Sequence, residues 1–107
     1  MPDLVIENIH ELLDAPRPAD ATPFLERLDA TLTAGYAHAL QLEAERWRLE
    51  RRIGEVAAKI VDDKNELDTD ELASLARQLT AANQAIASVR TLLTSLRDRR
   101  SAIRTAA

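Results

Sequence analysis

The hydrophobic positions between Leu25 and Ile60 follow a seven-residue repeat. With heptad position a placed at Leu25, the a and d positions hold apolar side chains throughout, except for Gly35 and Arg46. A sustained 3.5-residue spacing keeps one stripe of a helix turned towards a partner over many turns, which is typical of a coiled coil. We therefore predict one long helix over residues 23–61. Its predicted seam is Leu25, Leu28, Leu32, Gly35, Ala39, Leu42, Arg46, Leu49, Ile53, Val56 and Ile60.

A second long helix, predicted over residues 69–104, repeats the heptad after an acidic turn at 62–68 in which Asp68 begins a capping-box-like restart. Two helices joined by so short a turn fold back on each other as an antiparallel hairpin. In an antiparallel pair, the numbers of facing residues have a constant sum. A sum of 128 places the large side chain of Leu93 against Gly35, which has no side chain, so the two residues pack without a clash. The second seam is Leu72, Leu75, Leu79, Ala82, Ile86, Val89, Leu93, Leu96, Arg100 and Ile103.

The N-terminal residues 1–15 read as a short amphipathic docking helix, which needs a surface to pack on because a helix of this length is marginal in water. Its apolar face holds Val5, Ile9, Leu12 and Leu13. Residues 16–22 form a Pro-containing linker, and Thr22 followed by Pro23 predicts a helix start, with Thr22 as the cap. The predicted fold class is all-α: a short N-terminal helix followed by a long antiparallel coiled-coil hairpin over residues 23–107.

A second apolar stripe follows the long helix on the side away from the seam, and the hairpin partner cannot cover it. It consists of Tyr36, Ala37, Leu40, Ala44 and Trp47. An exposed apolar patch of this kind usually marks an interface. Two occupants are open at this point. The chain's own N-terminal helix is one, lying antiparallel over the stripe, and a second copy or a partner's helix is the other.

Charge is distributed unevenly, although the formal net charge is only -4. Residues 72–107 carry six Arg against the single acid Asp98. The C-terminal arginines Arg97, Arg99, Arg100 and Arg104 are therefore a candidate contact for an anion, including a nucleic-acid phosphate. An acidic total charge and the lack of interleaved aromatic residues argue against nucleic acid.

Chemistry-bearing patterns are sparse. The absence of Cys excludes disulfides and thiolate chemistry. His10 and His38 lie on different segments without a sequence-local acid or nucleophile, and the acidic turn lacks the Gly of a calcium loop. We expect no catalysis, no metal and no cofactor. Nothing resembles a signal peptide or a span of the ~18 apolar residues that a membrane requires, so we expect a cytoplasmic protein without membrane contact.

Three functions fit this pattern. The first is a non-catalytic helical protein–protein interaction module, a scaffold or adaptor that self-associates, most simply as a homodimer. The second is a sequestering regulator or chaperone that captures a partner's amphipathic helix on the Tyr36–Trp47 stripe when the N-terminal helix lifts away. The third is an anionic-ligand or nucleic-acid binder acting through the C-terminal arginines. The sequence does not identify the partner or the pathway.

Overall fold

A computed structural model of the chain describes residues 2–63 and 66–106. Within these ranges the protein has three helices and no strand: α1 (Pro2–Asp14), α2 (Ala21–Asp63) and α3 (Glu66–Ala106). The predicted all-α class, with a short helix followed by a hairpin of two long helices, is confirmed. No helix among the described residues is long and apolar enough to cross a membrane.

The start of α2 differs from the prediction. The helix begins at Ala21 rather than at Pro23, and the backbone N–H of Thr22 donates a hydrogen bond of 3.1 Å to Oδ1 of Asp20. Asp20 is therefore the cap, and the assignment of this role to Thr22 was wrong. Aspartate is among the strongest N-cap residues. Pro23 is tolerated as the third helical residue because the first N–H groups of a helix have no intrahelical acceptor.

The predicted turn at 62–68 is too long. Helix α2 continues to Asp63 and α3 already begins at Glu66, so Asp68 lies inside α3 and does not restart it. Acidic side chains at Asp68 and Asp70 favour this early start, because negative charge in the first turns is stabilised by the positive end of the helix dipole. The rest of the predicted turn, residues 64 and 65, lies outside the described residues.

The chain forms two compact units. The first comprises residues 1–40 and 87–107, and the second comprises residues 41–86. The first unit contains α1 together with the beginning of α2 and the end of α3. Among the described residues it holds nine of the twelve buried apolar residues: Ile9, Leu12, Phe24, Leu28, Leu32, Ala39, Val89, Leu93 and Leu96. In the second unit the buried apolar residues are Val56, Leu75 and Ile86.

Within each unit, the segments of α2 and α3 run in opposite directions and present the predicted seam to each other. Every predicted a and d position is buried or half-buried. In the first unit, a Cβ built on Gly35 would lie 2.5 Å from Cδ2 of Leu93, so the two residues meet as the register of 128 predicts. In the second unit, Arg52 Nη2 lies 2.7 Å from Glu71 Oε1.

Arg46 occupies a seam position, but its charge is partly exposed and paired. Its side chain is 34% exposed, and Nε lies 3.7 Å from Oε1 of Glu50. Nη1 donates a long hydrogen bond of 3.5 Å to Oδ1 of Asn83 on α3. The aliphatic stem of an arginine can cover apolar surface while its guanidinium stays in water. The seam therefore accommodates this charge at its edge.

Candidate interaction surface

The three large side chains of the second apolar stripe are exposed. In the first unit, Tyr36 is 44% and Leu40 is 66% exposed. In the second unit, Trp47 is 60% exposed. The small members of the stripe, Ala37 and Ala44, are exposed as well. None of the five is placed in the core of its unit, in contrast to the seam residues on the opposite side of the same helix.

Trp47 has one polar neighbour. The guanidinium carbon of Arg51 lies 5.4 Å from the centre of the indole ring, within the range of a cation–π contact. Arg51 also pairs with Glu55, with Nε 3.7 Å from Oε1, as the spacing of four residues predicts. The ring nevertheless stays mostly open to solvent, so the arginine flanks this apolar side chain without covering it.

Helix α1 does not cover the stripe. Its Ile9 and Leu12 are 0% and 1% exposed, and Ile9 Cδ1 comes within 3.6 Å of a Cβ built on Gly35. Of the two occupants left open by the sequence, α1 lying antiparallel over the stripe is therefore wrong. Leu93 occupies the space of the missing side chain at Gly35, and Ile9 packs beside it at van der Waals distance. This site offers deeper burial than an exposed helix face.

Of the predicted docking residues on α1, Ile9 and Leu12 are fully buried, whereas Val5 and Leu13 are only half-buried. One polar contact of α1 runs from Arg27 Nη2 to Glu11 Oε1 at 3.2 Å, and both side chains are more than half exposed. An ion pair this exposed contributes about 0–1 kcal/mol. Apolar burial therefore holds α1 in place. The lifting of α1 that the sequestering hypothesis includes is not needed, because the stripe is already exposed.

The four C-terminal arginines do not act as one group. Arg99 Nη2 donates a hydrogen bond of 2.6 Å to the carbonyl oxygen of Ala15, and its guanidinium carbon lies 5.4 Å from the ring centre of Phe24. Arg100 Nε forms an ion pair with Asp29 but lacks the alignment of a hydrogen bond. Arg97 and Arg104 are exposed. Two of the predicted anion contacts thus hold the first unit together.

A further arginine joins Arg99, and sequence reasoning did not find it. Arg17, in the linker between α1 and α2, lines two neighbouring clefts of about 260 and 240 Å³ together with Ile103 and Ala106. Arg99 lines the second of these clefts. No pattern along the chain connects Arg17 with Arg99, because their proximity depends on where the linker lies against α3.

In the second unit, an ion pair joins the two long helices. Arg52 Nε donates a hydrogen bond of 2.9 Å to Glu71 Oε1, and Glu55 adds a longer contact of 3.4 Å. The hydrogen bond and the negative charge of Glu71 raise the pKa of Arg52 above its ordinary value. The pair therefore links the α2 and α3 segments within the second unit.

The two histidines lie in different surroundings. His38 is buried at 9% exposure, whereas His10 is exposed and lines an open groove with Ala87, Ser88, Thr91 and Leu92. Among the described residues, no three His, Cys, Asp or Glu side chains are placed to hold a metal ion. Comparison of the chain with protein-family models, with curated proteins and with solved structures finds no match.

Proposed function

We propose that the protein is a non-catalytic helical interaction module that self-associates through the exposed face of α2, with a second copy of the chain as the occupant. The observation that supports this is the exposure of Leu40 and Trp47, at 66% and 60%, on a helix whose other face is buried. The exposure of α2 residues in both units, with α1 packed elsewhere, leaves this face available.

The expected affinity follows from the side chains involved. Burying a large apolar side chain contributes roughly 1.5–3 kcal/mol. A two-fold symmetric interface uses the same patch on both copies, so Leu40 and Trp47 together contribute about 6–12 kcal/mol. Association costs at least about 4 kcal/mol, because the two chains lose translational and rotational freedom. The balance corresponds to a weak dimer, with a dissociation constant in the micromolar to millimolar range.

Sedimentation equilibrium over a wide concentration range tests the proposal. The wild-type mass should rise from the chain mass of 11.9 kDa towards twice that value as the concentration increases. Leu40→Gln should weaken the association by tenfold or more, since it removes at least about 1.4 kcal/mol on each copy.

Leu67→Gln is the matched control. Leu67 is the same residue type, sits on a helix and is 74% exposed, but it lies on α3 and outside the stripe. This variant should associate like the wild type. A chain that remains a monomer at millimolar concentration, or equal weakening by the two substitutions, would contradict the proposal.

A further inference from the structure

We propose that the clefts lined by Arg17 bind a small oxyanion of the phosphate class. Both clefts lie in the first unit and share Arg17, Ile103 and Ala106, and no acidic side chain is among the described residues that line them. The charge of the described lining is therefore positive. An anion is therefore the ligand that this lining favours.

The guanidinium of Arg99 is already fixed in position before a ligand binds. The hydrogen bond to the Ala15 carbonyl and the ring of Phe24 fix its guanidinium, and neither partner carries a negative charge. Its Nε is buried, so an anion in the cleft would be bound by the terminal Nη groups of the guanidinium. Because the side chain is already ordered, binding an anion costs little additional conformational entropy.

Arg17 supplies the second guanidinium. It is exposed and forms no ion pair with any described residue. The closest acids along the chain are Asp14 and Asp20, three residues away on either side. No ion pair joins Arg17 to either of them, and Asp20 already accepts the Thr22 N–H as the cap of α2. Arginine presents several N–H donors in a planar fork that matches the oxygens of phosphate. Two such groups at one cleft can hold an oxyanion from two sides.

The size and the remaining lining limit the ligand. Volumes of about 260 and 240 Å³ fall below the range of ~300–1,000 Å³ typical of sites for drug-sized molecules. Pro18, Ala19, Ala21, Ala102 and Ile103 make the rest of the surface apolar. Inorganic phosphate, or the phosphate group of a small monoester with a short apolar body, fits this description better than a nucleotide or a nucleic acid.

Binding also has a structural consequence. Arg17 belongs to the linker that follows α1, and Arg99 on α3 already donates a hydrogen bond to the first carbonyl of that linker, at Ala15. An anion shared by the two arginines would tie the linker to α3. Phosphate should therefore stabilise the first unit, in which α1 is docked, in addition to occupying the cleft.

Titration of the full-length chain with inorganic phosphate, followed by two-dimensional amide NMR, tests this inference. Sodium chloride at matched ionic strength controls for general screening. We expect saturable shifts confined to residues 15–21 and 99–106. Arg17→Gln should weaken the affinity by about tenfold or more, or about 1.4 kcal/mol. Arg97→Gln, which removes an exposed arginine of the same unit that lines neither cleft, should bind like the wild type.

Arg17 is exposed and forms no ion pair with a described residue, so its variant should keep the wild-type helical circular dichroism and remain interpretable. Shifts that never saturate, shifts that chloride reproduces, or equal losses from Arg17→Gln and Arg97→Gln would each overturn the inference. The test does not depend on self-association, because Leu40→Gln should retain the phosphate response.

Discussion

Replacement of the two glycines by alanine should have opposite effects, and the comparison measures how closely α2 and α3 approach. Both glycines lie inside α2, so each substitution gains about 0.8–1.0 kcal/mol of helix propensity. At Gly54 nothing lies within 4 Å of the new Cβ, so this gain should appear in full. At Gly35 the new Cβ would lie 2.5 Å from Cδ2 of Leu93, which is only 3% exposed.

A methyl group forced into such a packed site costs about 1–3 kcal/mol. Since the propensity gain is common to both variants, Gly35→Ala should be about 1–3 kcal/mol less stable than Gly54→Ala. Urea denaturation followed by far-ultraviolet circular dichroism measures this difference. With a denaturant slope of about 1–3 kcal/mol per molar, a difference of 2 kcal/mol separates the midpoints by roughly 1 M.

A double substitution identifies the source of the cost. Leu93→Ala alone should destabilise the protein by about 2–5 kcal/mol, because it leaves a cavity in a buried position. In the Gly35→Ala background it should cost measurably less, since the new methyl group then occupies part of the space that the leucine vacates. Equal stabilisation by Gly35→Ala and Gly54→Ala would refute the close approach of the helices and, with it, the register of the hairpin.

The remaining predictions concern the buried and exposed faces of α2, the cap of α2 and the docking of α1. Leu28→Ala should cost about 2–5 kcal/mol because Leu28 is fully buried, whereas Leu40→Ala on the same helix should change monomer stability by less than about 0.5 kcal/mol in the same urea assay. Asp20→Ala should cost about 0.5–2 kcal/mol through loss of the α2 cap, and Thr22→Ala should cost less; the reverse order would restore the cap to Thr22. Ile9→Ala should increase amide exchange throughout α1, and unchanged protection would show that α1 is held by other contacts.

The pairing of α2 with α3 was predictable because one periodicity runs through both helices. A heptad repeat indicates which residues face the partner helix. Among the possible antiparallel registers, the one that places Leu93 opposite Gly35 is favoured because it pairs a large side chain with a glycine. Helix ends were less predictable. Asp20 and Thr22 are both good caps, and the sequence alone does not decide which of them receives the first N–H.

The position of α1 could not be read from its own pattern. The apolar face around Ile9 suits either the second stripe of α2 or the space beside Gly35, and that space exists only once α2 and α3 are paired. The cleft shared by Arg17 and Arg99 has the same origin. Each arginine is ordinary in its local sequence, and their convergence follows from the path of the linker.

The emission of Trp47 tests the proposed interface most directly, because it is the only tryptophan in the chain and belongs to the stripe itself. In the concentrated wild-type protein the emission should be blue-shifted, and dilution should move it towards the red as the 60% exposure of the single chain is restored. Leu40→Gln should give the red-shifted emission at concentrations where the wild type is still blue-shifted. An emission maximum that stays constant from micromolar to millimolar concentration would contradict association through this face.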